Sequence, residues 1–154
     1  MSRDGRIELS FGTDEHLFRL GIGQWREVQE ACDAGPPEIL ARLRPLFAAL
    51  RQGLTFEQAM DVGLLGRWRI DDVRAPILHG LVGGGMREEE AGRLVRKVFD
   101  PRPAMEFVDL AYQIVMAGLV GAEDEKAVGE LEGETASPLS PEESSASDKT
   151  ASTP

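Results

Sequence analysis

The hydrophobic pattern begins with a period of two, passes to a helical period and then fades into polar sequence. In "RIELSF", Ile7, Leu9 and Phe11 alternate with Arg6, Glu8 and Ser10, as expected of a half-buried strand. "GTDE" reads as a turn, and "HLFRLGI" places Phe18, Leu20 and Ile22 on one face. The spacing therefore predicts a β-hairpin over residues 6–22. A lone hairpin is marginal in water, so its apolar face must pack against something.

Helical spacing takes over across residues 23–121. Trp25, Val28 and Cys32 share a face, and Gly35-Pro36 supplies a stop. Ile39, Leu43, Phe47 and Leu50 follow at helical intervals, with Pro45 expected to kink or split the segment. Thr55 and Gln58 stand in capping-box register before a short helix. In "IDDVRAPILHGLVG", Asp71 is a good N-cap and Pro76 suggests that regular helix begins only there. Ala91, Leu94, Val95, Val98 and Phe99 form an i, i+3, i+4, i+7, i+8 stripe, ended by Asp100-Pro101. "PAMEFVDLAYQIVMAGLVG" reads as a last, most apolar helix. The fold expected is α+β and mainly helical, with the N-terminal hairpin packed on a bundle of about five helices in a body of residues 1–122.

After Ala122 the composition shifts to Glu, Ser, Thr, Pro and Gly. Residues 123–154 contain nine acidic and two basic residues, a net of −7 within the chain's −10. Such a segment cannot bury enough apolar surface to offset its ordering entropy, and a disordered acidic tail is expected. The body, near −3, lacks the clustered cations that nucleic-acid backbones require, so no nucleic-acid partner is expected. The start shows no apolar signal region, and Glu106, Asp109 and Gln113 interrupt the most apolar stretch. The expectation is a cytoplasmic protein with no membrane partner, and the single cysteine fits a reducing compartment.

The triplet Gly83, Gly84, Gly85 resembles a phosphate loop only superficially. A phosphate site would be followed by Lys-Ser or Lys-Thr, whereas here Glu88, Glu89 and Glu90 would repel an anion. The glycines read better as a structural turn between two helices. A DNA-reading helix-turn-helix at the same corner is a weaker possibility, since those glutamates occupy the base-reading end. His16 and His79 have no Cys or His at ligand spacing, and Cys32 lies on an apolar stripe. No catalytic, cofactor or metal constellation emerges. The final helix carries more apolar surface than one core stripe needs, through Phe107, Val108, Leu110, Tyr112, Ile114, Val115, Met116 and Leu119. A helix apolar almost all round is either central in its own fold or covered by another chain. These eight residues are the candidate partner-binding set.

"FRLGIG" (18–23), "CDAGPPEIL" (32–40), "WRIDDVR" (68–74) and "GLVGGGM" (80–86), in this order, resemble the gene transfer agent family of phage-type tail assembly chaperones. The likeness spans roughly residues 5–121, with about twenty additional residues near 44–66. The resemblance implies a non-enzymatic chaperone, without cofactors, that binds and solubilises the tape measure protein during assembly of a phage-like tail. It also implies possible contact with the tail tube protein, and self-association is a further possibility. The alternatives are a structural tail tube subunit and, below it, a small DNA-binding regulator.

Overall fold

The computed structural model describes residues 4–121; the expected acidic tail, residues 123–154, lies outside the described residues. The alternating segment forms β1 (Ile7–Phe11) and β2 (Asp14–Phe18), an antiparallel pair with Ile7 opposite Phe18 and Phe11 opposite Asp14. Gly12, at φ 75°, opens the two-residue turn, the position where a tight hairpin needs a residue free to adopt positive φ. Phe11, Phe18 and the following Leu20 are buried. Ile22 departs from expectation: it begins the first helix and is 71% exposed, because the chain turns at Gly21 and leaves the hairpin face.

Six α-helices follow among the described residues: α1 (Ile22–Cys32), α2 (Pro36–Arg51), α3 (Phe56–Asp61), α4 (Ile70–Gly83), α5 (Glu88–Val98) and α6 (Val108–Val120). Helix α1 buries Trp25, Val28 and Cys32, as the spacing predicted. Its stop is two residues earlier than the Gly35-Pro36 signal: Asp33 takes the left-handed conformation at φ 53°, and Gly35 caps the next helix. The capping box on α3 is formed in full, with the Gln58 amide N–H donating to Thr55 Oγ1 at 3.0 Å and the Thr55 N–H donating to Gln58 Oε1 at 2.9 Å.

Both prolines inside helices are accommodated without dividing them. Helix α2 runs through Pro45, and α4 runs through Pro76 after starting six residues before it. That early start corrects the reading of Asp71 as the N-cap. Arg69 occupies the cap, and Asp72 reaches back to accept its N–H at 2.8 Å. The last apolar segment is also divided, into a 3-10 turn (Ala104–Phe107) and α6.

Helix α4 is central. It packs against α1, α5, α6 and β2, while α2 lies along the other flank of α6. One continuous core results, in which Phe18, Ile39, Leu43, Leu46, Ile77, Leu81 and Ile114 are fully enclosed.

Candidate functional site

The eight apolar residues singled out near the C-terminal end of the body divide by environment. Val108, Tyr112, Ile114 and Val115 are buried in the protein's own core. Phe107, Leu110 and Met116 are half-buried and packed against that core, and Leu119 is 40% exposed. The reason is topological: α2 and α4 cover both flanks of α6, so breadth of apolar surface is absorbed within the fold. Tyr112 stacks on Phe47 with ring centroids 4.0 Å apart and accepts a hydrogen bond from Arg44 Nη1 at 2.7 Å. Phe107 meets Phe11 at 5.8 Å and Phe99 at 5.0 Å, joining the hairpin to the end of α5.

The glycine triplet is a corner between α4 and α5, as the sequence suggested, but its three members do different work. A Cβ on Gly83 would lie 1.8 Å from the Arg19 carbonyl oxygen, and one on Gly84 would lie 2.0 Å from that of Leu17. Neither has positive φ, so what requires glycine there is the backbone of the hairpin pressing directly on the helix end. The Arg19 N–H donates to the Gly80 carbonyl at 2.9 Å across this contact. Gly85 alone, at φ 117°, serves the turn itself. The N–H groups of Gly84, Gly85 and Met86 are bonded to the carbonyls of Gly80, Val82 and Leu81. These three donors are spent within the corner, and none of them is left to cradle an anion.

Two further glycines extend the same docking surface, and the sequence reading missed them. A Cβ on Gly80 would come within 3.1 Å of Phe18 and 3.2 Å of Ile114; one on Gly118 would come within 2.9 Å of Leu20. The Trp25 indole N–H donates to the Gly118 carbonyl at 3.3 Å. The available signal was a glycine inside an otherwise apolar helix, where it lowers helix stability unless something approaches closely.

A second assembly, also unforeseen, joins α1, α2 and α4. Asp72 is fully buried, and Arg42 Nη1 donates to its two carboxylate oxygens at 2.9 and 3.2 Å. Arg42 also donates to Glu38 at 3.0 Å and to the Cys32 carbonyl at 3.3 Å. Arg69 donates to that same carbonyl. Two cations thus meet the C-terminal end of α1, where the helix dipole favours them. The Cys32 thiol donates to the Asp71 carbonyl at 3.2 Å; burial, helped by the Asp72 charge, pushes its pKa up to about 12. A thiol held protonated in this way is a packing group and a poor nucleophile.

His79 is half-buried, and that burial lowers its pKa against the opposing pull of Glu27 and Glu88. Arg74 grips Asp100 through two hydrogen bonds of 2.9 and 3.2 Å, tying α4 to the end of α5. The hydrogen bond from Arg74 holds the Asp100 carboxyl below its ordinary range. Among the described residues no cluster of three or more His, Cys, Asp or Glu is placed to hold a metal ion. No helix among them is long and apolar enough to cross a membrane.

Residues 63–121, the stretch that contains α4, α5 and α6, match the model of a family described as phage tail tube protein, GTA-gp10. No curated protein and no solved structure matches the chain. The match corrects the expected chaperone role, because the family it identifies is described by the tail tube and not by assembly assistance. Over its central and C-terminal helices the chain is similar to a tail tube family of gene transfer agents, which supports a gene transfer agent or phage tail protein.

Proposed function

We propose that this protein is a structural subunit of a phage-like tail, a tube component of a gene transfer agent or a related phage, acting by contact and without catalysis or a cofactor. The observation that carries the reading is the tail tube family match over residues 63–121. That stretch supplies the central helix α4 and the two helices packed on it, the part of the fold that organises everything else. The glycine-seated hairpin fits the same role, since backbone-to-helix contact gives a stiff body that can be repeated many times. The partners on this reading are other copies of the chain and neighbouring tail proteins.

Quantitative mass spectrometry of purified particles tests it. A tube subunit is retained in many copies per particle. Absence from finished particles, with the protein still abundant in the producing cells, would refute the proposal.

A further inference from the structure

Helix α3 is seated on the core by one side and leaves apolar side chains on the other. Leu54, Phe56, Ala59 and Leu65 pack against the core, and Ala59 is fully buried. Met60, Val62 and Leu64 lie outside that packing and are 53%, 62% and 37% exposed. The Leu64 N–H donates to the Ala59 carbonyl at 2.8 Å, which folds the chain back on the last turn of α3 and keeps the three together. Eight large apolar side chains are exposed among the described residues, and three of them fall within these five positions. Single exposed apolar residues are ordinary, whereas a concentration of them marks a contact surface. Glu57 and Asp61 share a face of α3 with Met60, at i, i+3, i+4 spacing. Both carboxylates are exposed, and neither forms an ion pair among the described residues. Asp61 ends the helix, where the dipole favours a cation, so its charge does not serve α3 itself.

We infer that this face of α3 receives a basic amphipathic segment of a different protein of the tail. Apolar side chains of such a segment cover Met60, Val62 and Leu64, while its Lys or Arg residues meet Glu57 and Asp61. A second copy of the chain is the poorer fit, because at a net charge of −10 it approaches an acidic face with like charge. The inference rests on the tail-subunit reading for where the partner is found, and it adds the surface and the chemistry of what covers it.

Photo-crosslinking in the producing cells, with Val62 of the full chain replaced by p-benzoylphenylalanine, provides the test. The expected product joins the chain to one other protein. Mass spectrometry of the digested product should place the link in a segment with Lys or Arg at helical spacing beside an apolar stripe. Adding Glu57→Lys/Asp61→Lys to the same chain should lower the yield at least about tenfold. Met60→Ser should lower it as well, and circular dichroism should stay unchanged in both variants because all three side chains are exposed. A synthetic peptide of the crosslinked segment should bind the purified chain more weakly as salt rises from about 50 to about 300 mM. No product, a product only with further copies of this chain, a link to a segment without basic residues, or a yield indifferent to charge reversal would overturn the inference. Those outcomes leave the count of copies in purified particles unaffected, so the two ideas fail separately.

Discussion

Gly83→Ala separates a glycine used for turning from one used for contact. In an ordinary helix this exchange stabilises by about 1 kcal/mol through backbone entropy. Here the new methyl carbon would lie 1.8 Å from the Arg19 carbonyl oxygen, where ordinary contact begins at 3.4 Å. Relief requires the hairpin to retreat by about 1.6 Å, measured along that approach. Such a shift breaks the 2.9 Å bond from the Arg19 N–H to Gly80. Losing that bond costs about 1 kcal/mol, and overpacking a well-filled contact adds about 1–3 kcal/mol. After the helix-propensity gain is set against these losses, a net destabilisation of about 1–3 kcal/mol remains. For a body of this size the melting temperature should fall by roughly 10 °C. Urea unfolding followed by tryptophan fluorescence measures the loss, since Trp25 is buried beside Gly118 and reports on the same region. Hydrogen exchange at the Arg19 amide should accelerate in parallel. Gly92→Ala is the control and should gain about 0.5–1 kcal/mol, having only a mobile arginine tip to displace. If Gly83→Ala proves as stable as Gly92→Ala, the hairpin does not sit against α4 as described.

Three other outcomes are expected. Asp72→Ala takes from Arg42 its buried carboxylate partner, leaving Glu38 and the Cys32 carbonyl, and removes the acceptor for the Arg69 N–H, so a loss of about 2–3 kcal/mol in urea unfolding should follow. Cys32 should resist alkylation in the folded protein at pH 8 and react promptly once unfolded. Its raised pKa of about 12 also means that the stability it contributes is complete below the ordinary value of 9.0 and declines as pH rises past it. The Asp100 pKa is lowered, so its contribution is present above the ordinary carboxylate range and is lost as pH falls through and below that range. Asp100→Asn should therefore flatten the acid side of the stability profile, with under about 1 kcal/mol lost at neutral pH because the pair is partly solvated.

Short-range patterns carried much of this architecture. The alternation of Ile7, Leu9 and Phe11 announced a strand, Thr55 with Gln58 announced a helix start, and the spacing of Trp25, Val28 and Cys32 marked a buried face. What was not legible depends on partners distant in sequence. Helix α4 begins at Ile70, where Asp72 caps the Arg69 N–H and is itself held by Arg42, thirty residues earlier; a local reading offered Asp71 as the cap and Pro76 as the start of regular helix. Val108 and Tyr112 looked like surplus apolar surface until α2 and α4 were seen to enclose them. Gly83 and Gly84 were assigned to the turn, although the atoms that demand them belong to Leu17 and Arg19. The resemblance that suggested a phage-like tail survives in the family match, while the chaperone role attached to it does not.

The seating of the strands has a mechanical corollary. Where Leu17 and Arg19 rest on the end of α4, main chain meets main chain with no side-chain cushion between, and α5 starts four residues beyond Gly84. A push on the strand ends thus bears directly on the last turn of α4. A substitution that loosens this seat should therefore loosen the strand ends and the last turn of α4 together.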